Sequence, residues 1–437
     1  MPLLAELAAR APDVGRPFLL GRGGTLSLRD VLQTAEADFS ALRPGDVVAL
    51  VGGFDPLSIA TLLRLLDAGM IVAPLTPDTA SQHEQFLRTA QADALISQGR
   101  VQRIRETRAD NEILNQLRES GEAGLILFTS GTTGAPKAIA HGADKFLARY
   151  RTPRKAQRTL TFLRFDHIGG INTLLHILFN GGEAVMPSAF NPEALWRDVH
   201  DFSVELLPAS PTFLRLLLLG GFVEKIPPSL KLVTYGTERM DQGTLDALCA
   251  ALPEVDFRQT YGMSELGILR VKSRARDSLW MQVGGEGVET RIRDGCLEIR
   301  AANRMLGYLD APCPFDGEGW HKTLDMAESD GPWLRISGRL GDLVNVGGLK
   351  VMPAEVEQAA LSLPGVLFAR AFGAANPLTG QHVELVCRMV SKPAGPDKER
   401  EIAGRLLNAL KDMLPPYAVP RRIRLEELAP SHRMKLQ

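Results

Sequence analysis

Short apolar runs alternate along the chain with longer mixed stretches, so that strand-like segments are followed by helix-like ones. Residues 45–75 read GDVVALVGGFDPLSIATLLRLLDAGMIVAPL, which is a β-rich run, a turn, an apolar helical stretch and a second β-like run. We predict buried parallel strands over residues 46–51 and 71–75. The same order of elements returns near residues 180–236, and the pattern therefore indicates repeated α/β units.

The pattern changes after residue 342. A glycine-rich turn precedes a helix that we expect to begin at Pro353, and β-like runs follow over residues 366–372 and 383–390. A charged helix is expected over 397–414. This part of the chain is predicted to form a small α+β domain.

Composition excludes several classes of protein. The 437 residues carry 50 Lys+Arg against 51 Asp+Glu, a net charge of −1, which argues against a nucleic-acid binder driven by bulk electrostatics. No apolar run reaches the roughly 20 residues that a membrane-spanning helix needs. The four cysteines, Cys249, Cys296, Cys313 and Cys387, are far apart and have neither metal-ligand nor redox spacing. We expect a reducing, cytoplasmic location.

The strongest local chemical pattern is LILFTSGTTGAPKAIAHG at residues 125–142. Four β-type residues lead into a turn that combines hydroxyls, glycines and a lysine: Thr129, Ser130, Gly131, Thr132, Thr133, Gly134 and Lys137. Glycines let backbone N–H groups approach an anion, hydroxyls donate hydrogen bonds, and the lysine adds charge. We predict a polyphosphate-binding loop. The GK[ST] ending of a Walker A motif is absent, and no GxGxxG follows a strand.

A basic stretch follows this loop at residues 145–158. It is interpreted as a solvated face, with contact to substrate phosphates as the alternative.

The segment TSGTTGAPK resembles the phosphate-binding loop of the acyl-adenylate-forming superfamily, which includes acyl-CoA synthetases, adenylation domains and luciferases. Further segments resemble successive motifs of that family in the right order: FDHIGG at 165–170, YGTERM at 235–240, QTYGMSELG at 259–267, GWHKTLD at 319–325, SGRLGDLVNVGGLKVMPAEVE at 337–357, and SHRMK at 431–435. The resemblance implies an α/β fold with a large N-terminal domain of α/β subdomains (1–338), a hinge (339–341) and a small mobile α+β C-terminal domain (342–437).

The resemblance also implies roles in nucleotide binding. Glu265 matches the acidic residue that holds Mg²⁺ against the phosphates, and Ser264 keeps a hydroxyl where the family commonly has Thr. Asp325 matches the carboxylate that accepts hydrogen bonds from both ribose hydroxyls, and Arg339 matches an arginine that reaches the nucleotide. The adenine site is assigned to Tyr261, which offers a flat face, together with Gly236, Thr237, Glu238 and Gly262.

Other matches concern the acyl group and the catalytic lysine. His167 resembles the histidine of the acyl-pocket segment, next to Gly169 and Gly170, whereas Asp166 is interpreted as structural. Lys435 matches the lysine that bridges the carboxylate, the ribose and the α-phosphate during adenylation. Together Lys435, Glu265 and His167 are the candidate catalytic residues.

Three positions depart from the family pattern. Leu324 replaces the glycine of TGD, Met434 replaces the glycine before the lysine, and Gly341 stands where the family has the Asp or Lys of its hinge. Gly347 and Gly348 match the loop that lines the pantetheine tunnel of CoA ligases.

The resemblance implies an acid–thiol ligase that uses ATP, Mg²⁺ and CoA. A carboxylic acid would become acyl-AMP with release of pyrophosphate, and the acyl group would then pass to the CoA thiol; apolar residues favour a fatty or aromatic acid. One alternative is a stand-alone adenylating enzyme that loads an acyl or β-amino acyl group onto a carrier protein. Another is a nucleotide-binding regulator without turnover.

Overall fold

The computed structural model describes residues 2–10, 13–34, 38–129 and 136–426. The helices of these ranges, in chain order, are α1 (Leu3–Arg10), α2 (Leu28–Leu32), α3 (Pro56–Asp67), α4 (His83–Thr89), α5 (Glu112–Ser120), α6 (Ala143–Ala148), α7 (Ile168–Asn180), α8 (Pro192–Asp201), α9 (Pro211–Leu219), α10 (Gln242–Ala251), α11 (Pro353–Leu361) and α12 (Pro396–Met413). Short 3₁₀ turns cover Pro77–Gln82, Phe222–Glu224 and Leu340–Asp342.

The strands of the first half of the chain are β1 (Pro17–Gly21), β2 (Gly24–Ser27), β3 (Val47–Val51), β4 (Ile71–Leu75), β5 (Ala94–Ser97), β6 (Arg100–Arg103), β7 (Gly124–Thr129), β8 (Lys137–Gly142), β9 (Arg158–Leu160), β10 (Glu183–Val185), β11 (Leu206–Ala209) and β12 (Leu232–Tyr235). Those of the second half are β13 (Asp256–Gln259), β14 (Gly262–Met263), β15 (Gly267–Ile268), β16 (Arg270–Ser273), β17 (Met281–Gly284), β18 (Val288–Arg293), β19 (Cys296–Ala301), β20 (Gly307–Tyr308), β21 (His321–Asp330), β22 (Trp333–Arg339), β23 (Val344–Val346), β24 (Leu349–Val351), β25 (Val366–Asn376), β26 (Gly380–Met389) and β27 (Arg422–Leu425).

Two seven-stranded sheets form most of the N-terminal part. The first has the order β13-β12-β11-β9-β10-β1-β2, and its strands are parallel except at the β1–β2 edge. The second has the order β20-β8-β7-β4-β3-β5-β6, with β7, β4, β3 and β5 parallel. The predicted parallel strands over 46–51 and 71–75 are confirmed as β3 and β4.

One hydrophobic core connects the two large sheets through helices. Val48 and Leu50 of the second sheet belong to the same buried cluster as Leu19 of the first sheet. Helices α3 and α7 contribute their apolar faces to this cluster, including Ile59 and Leu174. Both helices begin with a capped first turn, because Asp55 accepts from the Ser58 amide and His167 accepts from the Gly169 amide.

Two smaller sheets and the two-stranded β14–β15 hairpin complete the fold of the described residues. An antiparallel sheet of order β16-β17-β22-β21-β19-β18 follows the parallel sheet in the chain. The last sheet has the order β24-β23-β26-β25, with β27 beside β26, and it encloses a separate core with α11 and α12. The predicted helix at Pro353 and the two predicted strands of this part are confirmed as α11, β25 and β26. The mixed α/β fold class is thus confirmed, and the domain limits at 338 and 342 stay predictions.

Candidate active site

A cavity of about 1320 Å³ lies where the parallel strands of the first sheet end. Pro208, Thr234 and Gln259, each at or near the carboxyl end of a parallel strand, contribute to its wall. Other parts of the wall come from the β7–β8 hairpin and from β21 and β22. Ligands of open α/β sheets bind in the crevice outside the carboxyl ends of parallel strands, so this cavity is the candidate site.

Asp325 is held by two side chains from different elements. Tyr261 donates a hydrogen bond from Oη to Asp325 Oδ2 at 2.6 Å, and Arg339 donates from Nε to Oδ1 at 3.0 Å. Arg339 faces Asp325 directly because the two residues are cross-strand partners in β21 and β22. Burial and the adjacent Asp325 carboxylate raise the pKa of Tyr261 well above its usual range, so its phenol stays a hydrogen-bond donor. The carboxylate is therefore fixed with both of its oxygens engaged.

Glu265 lies in the short turn between β14 and β15 and faces the cavity. Tyr308 Oη donates to Glu265 Oε1 at 2.7 Å. The ammonium of Lys137 lies 5.0 Å from the centre of the Tyr308 ring, within the range of a cation–π contact. Thr129, Lys137 and Glu265 all contribute to the cavity wall. A carboxylate and a cation thus both contact Tyr308 near the end of the β7–β8 hairpin.

The loop that carries Ser264 and Glu265 is anchored by a buried histidine. His141 of β8 contacts the Ser264 carbonyl oxygen through Nε2 at 2.7 Å. Burial lowers the pKa of His141 to about 4, so the ring is neutral at pH 7 and acts as a donor to that carbonyl. Ser264 is itself buried and contributes to the cavity wall.

The segment after β12 only partly matches the predicted adenine site. Gly236 and Thr237 lie on the cavity wall, and Thr237 adopts a left-handed backbone conformation with φ of 69°. Glu238 Oε2 accepts a hydrogen bond from the Thr212 amide at 3.2 Å, which directs this carboxylate toward the start of α9. Gly262 is on the wall, but the Tyr261 ring is buried in the core beneath the antiparallel sheet.

The predicted acyl-pocket residues lie at the start of α7. His167 caps the helix through Nδ1, which accepts from the Gly169 amide at 3.2 Å, so the neutral ring carries its proton on Nε2. His167 and Gly169 line the cavity. Gly170 does not: a Cβ atom there would lie 1.8 Å from the Arg164 carbonyl oxygen, so close packing requires this glycine. Asp166 accepts from Thr76 Oγ1 at 3.2 Å in a buried contact, as a structural carboxylate would.

Leu324 occupies a backbone conformation that disfavours leucine. Its φ is 64°, and its side chain is 43% exposed on the cavity wall. Leu324 lies within β21, where the pairing with β19 shifts register, and its left-handed backbone explains why glycine is the usual family residue at this position.

Several predicted residues lie elsewhere. Gly347 and Gly348 have φ of 61° and 89° and form the two-residue turn between β23 and β24, away from the described cavity wall. Gly341 lies in the turn Leu340–Asp342 that connects β22 to β23. Ser130, Gly131, Thr132, Thr133, Gly134 and Lys435 fall outside the described residues.

Three residues of the site were missed by the sequence analysis. Tyr308 contacts Glu265, 43 positions away, and His141 contacts Ser264, 123 positions away. No local sequence pattern predicts such contacts. His321 lines the cavity, and its buried Nδ1 has no hydrogen-bond partner among the described residues. Burial lowers the pKa of His321, although Glu265 and Asp325 act in the opposite direction. Its position within GWHKTLD was the one available signal.

Comparison with known proteins identifies the family. The sequence pattern of the AMP-binding enzyme family matches residues 6–295, about two thirds of the chain. The chain belongs to the AMP-binding enzyme family. Among members of this family, it is 27% identical to the sulfoacetate–CoA ligase of Cupriavidus necator over 428 residues, covering 89% of this chain and 82% of that protein. It is 26% identical to a feruloyl-CoA synthase of an Amycolatopsis species, covering 90% and 87%.

Solved structures support the same fold. The anthranilate CoA ligase AuaEII, solved with anthranoyl-AMP, superposes with a TM-score of 0.83 at 18% identity, over 100% of this chain and 95% of that one. The two-part architecture predicted for an AMP-binding enzyme is therefore confirmed as a fold. Within the described residues, no helix has the length and apolar character needed to cross a membrane.

Proposed function

We propose that this protein activates a carboxylic acid with ATP and transfers the acyl group to the thiol of CoA. The observation that carries the proposal is that Arg339, Glu265, Tyr308 and Lys137 line one cavity. Arg339 and Tyr261 hold Asp325 directly behind that wall, and Tyr308 connects Glu265 with Lys137. The curated relatives reported above are CoA ligases, which supports CoA as the acceptor. The acids in their names, sulfoacetate and a feruloyl group, differ in charge and shape and do not by themselves select one.

The set of Tyr261, Asp325 and Arg339 suits the ribose of a nucleotide. Each oxygen of the Asp325 carboxylate accepts one hydrogen bond from protein and keeps a lone pair for a further donor. Two adjacent ribose hydroxyls supply two such donors at the spacing of a carboxylate. Tyr261 and Arg339 keep the carboxylate in place for this contact.

The set of Glu265, Tyr308 and Lys137 suits the triphosphate and its metal. Glu265 offers the hard oxygen ligand that Mg²⁺ prefers, and Lys137 supplies positive charge at the same end of the cavity. Bound Mg²⁺ would neutralise phosphate charge while the carboxylate of the acid approaches the α-phosphorus. The hydroxyls and glycines of 130–134 and the ammonium of Lys435 complete the proposed phosphate contacts.

The chemistry then has two steps. A carboxylate oxygen of the acid bonds to the α-phosphorus, and the bond to the β-phosphate oxygen breaks, releasing pyrophosphate. Next the CoA sulfur bonds to the acyl carbon, AMP leaves, and the thiol proton passes to solvent. His167, which lines the cavity at the start of α7, is proposed to contact the acyl group. Gly347 and Gly348 are proposed to line the path of the pantetheine arm.

The test measures the two half-reactions separately. Acid-dependent exchange of radiolabelled pyrophosphate into ATP reports adenylation, and thioester formation from supplied acyl-AMP reports transfer. Lys435→Ala should lower adenylation by about 10² or more, the scale for losing a preorganised electrostatic group, and leave transfer nearly unchanged. Failure to exchange pyrophosphate with any acid of a screen that covers fatty, aromatic, amino and dicarboxylic acids would overturn the proposal. Exchange without CoA thioester formation would favour a carrier protein as acceptor.

A further inference from the structure

Three arginines, Arg149, Arg154 and Arg270, line the candidate cavity and form what we call the arginine cluster. Arg149 directly follows α6, Arg154 lies in the connection to β9, and Arg270 begins β16. The Arg149 guanidinium lies against the β14–β15 hairpin, since a Cβ atom at Gly267 would be 2.5 Å from Arg149 Nη1. These positions place positive charge from two sides of the cavity.

No acidic side chain of the described residues forms an ion pair with the arginine cluster. Glu265 is the single acidic residue among the described residues of the cavity wall. Arg149 Nη1 is buried and has no hydrogen-bond partner in the described part of the chain. By contrast, Arg258 on the same wall pairs with Asp256 at 2.7 Å, and Arg339 pairs with Asp325. The cluster therefore differs from the other arginines of the cavity.

Such an arrangement is electrostatically unfavourable without an anion. Burial and repulsion from Arg270 lower the pKa of Arg149. Partial burial, followed by repulsion from Arg270 and Arg149, lowers the pKa of Arg154. Guanidinium groups nevertheless stay protonated at neutral pH, so the repulsion persists until a negative group enters. An arginine fork binds a carboxylate or sulfonate through two parallel hydrogen bonds.

Contacts with helix α7 show how far the segment of Arg149 and Arg154 lies from His167. His167 precedes the first residue of the helix, and Tyr150, next to Arg149, donates from Oη to Asn172 Oδ1 at 3.0 Å. The Arg154 amide donates to Asn180 Oδ1 at the end of the helix. With a rise of 1.5 Å per residue, these contacts lie about 7.5 Å and about 20 Å along the helix from His167. The segment that carries Arg149 and Arg154 thus runs along α7, beginning near the His167 end.

We infer that the acid substrate carries a second anionic group, a carboxylate or a sulfonate, which binds the arginine cluster while the first carboxylate is activated. This inference rests on the proposed function and narrows its substrate class. Leu163, Ile168 and Leu206 supply apolar wall beside the cluster, so a carbon chain or ring can connect the two acidic groups. His176 of α7 adds a neutral contact, because burial and Arg154 lower its pKa to about 4.

The test compares matched acids that differ in one charge. Hexanedioate, octanedioate, decanedioate and benzene-1,4-dicarboxylate are each paired with their monomethyl ester in the pyrophosphate-exchange assay. We expect at least one diacid to exceed its ester by about 10- to 100-fold in kcat/KM, the range for hydrogen bonds to a charged group. Arg270→Gln and Arg149→Gln should remove most of that preference through KM of the acid. Arg149→Lys should retain part of it.

Arg258→Gln is the matched control, since it makes the same change at an arginine already neutralised by Asp256. Equal use of every diacid and its ester by the wild-type protein would overturn the inference alone, because the proposed function would still hold. The arginine-cluster variants could instead show a higher KM for CoA or for ATP and an unchanged preference among acids. That result would mean that the cluster binds phosphates of CoA or ATP, and it would also overturn the inference.

Equilibrium dialysis of the same radiolabelled diacids and esters provides a readout that needs no turnover. The wild-type protein should bind a diacid at least 10-fold more tightly than its ester, and Arg270→Gln should abolish the difference. If pyrophosphate exchange fails with every acid, the proposed function is wrong, yet dialysis still decides whether the cluster binds a second anion. If the diacids are preferred over their esters neither in dialysis nor in exchange, the inference is wrong.

Discussion

Tyr261 and Asp325, which are 64 residues apart in the chain, are joined by a hydrogen bond of 2.6 Å between Oη and Oδ2. The bond connects the loop after β13 with β21, so one carboxylate links the parallel sheet to the antiparallel one. Arg339 binds the other carboxylate oxygen at 3.0 Å. The proposed nucleotide site therefore lies between the sheets and depends on their relative position.

Removing the phenol should weaken ATP binding specifically. Tyr261→Phe keeps the buried ring but deletes a hydrogen bond to a charged group, so we expect KM for ATP to rise about 10-fold or more. Tyr235→Phe is the control, because the buried Tyr235 Oη has no hydrogen-bond partner among the described residues. ATP titrations of the two variants should differ. Equal KM values would show that the Tyr261–Asp325 bond does not position the nucleotide.

Glu265 and Tyr308 should act together on the metal requirement. Glu265→Gln keeps the shape of the side chain but removes its charge, so adenylation should fall about 10²-fold and need more Mg²⁺. Binding of AMP, measured by calorimetry without metal, should persist. Tyr308→Phe should shift the Mg²⁺ dependence in the same direction by a smaller factor, since only the orienting bond at 2.7 Å is lost. An unchanged Mg²⁺ dependence in both variants would place the metal elsewhere.

At position 324, glycine should give a more stable protein than alanine, which is the reverse of the usual order. The left-handed φ of Leu324, 64°, costs about 1–2 kcal/mol for a residue with a Cβ atom. We expect the free energy of unfolding of Leu324→Gly to exceed that of Leu324→Ala by about 1 kcal/mol. In a regular helix or strand the order is normally reversed, because glycine is less stable there than alanine. Urea denaturation of both variants measures the difference. A more stable alanine variant would mean that the backbone of β21 relaxes at this position without strain.

The residues that could be predicted from sequence lie in contiguous motifs. Asp325 and Arg339 were assigned from two short segments, and they meet because β21 and β22 form one antiparallel pair. The same reasoning could not find Tyr308 or His141, since their partners are fixed by tertiary packing. A motif specifies which residues occur, whereas the direction of a side chain depends on elements far away in the chain.

The basic stretch at 145–158 shows this limit most clearly. Arg151 pairs with Glu6 at 3.1 Å and Arg158 pairs with Glu183, so these side chains have structural partners. Arg149 and Arg154 turn to the cavity instead. Charge spacing alone could not separate the two groups, because the path of this segment is set by contacts with α7 such as that of the Arg154 amide with Asn180.

Protonation of His141 should couple stability to pH. Its pKa is lowered from 6.5 to about 4 by burial, so the unfolded chain binds a proton between these values and the folded protein does not. Stability from this group is complete above about pH 6.5 and is lost as pH falls toward 4, with a slope of up to about 1.4 kcal/mol per pH unit. His141→Gln, whose amide nitrogen can donate to Ser264, should reduce that slope. Urea denaturation at pH 7, 6 and 5 measures it, and identical slopes would contradict the assignment.

The last prediction concerns Gly341 and the proposed hinge. The φ of Gly341 is not left-handed, and a Cβ atom there would meet nothing within 4 Å, so this arrangement does not require glycine. The wide range of backbone dihedral angles open to glycine would allow a second orientation of the C-terminal domain, as the proposed rotation requires. Movement would break the contact between Arg239 Nη2 and the Ala354 carbonyl oxygen, 2.7 Å long, which joins the two parts of the chain.

Proline at position 341 should restrict this freedom while alanine should not. Proline disfavours the helical backbone region for the residue before it, and Leu340 lies in the 3₁₀ turn. We expect Gly341→Pro to lose thioester formation and to keep adenylation within a few-fold, because one arrangement suffices to load the site. Gly341→Ala should retain both half-reactions. Rates for pyrophosphate exchange and for transfer from supplied acyl-AMP decide the matter: if both persist in the proline variant, the domains pivot at another position or need not rotate.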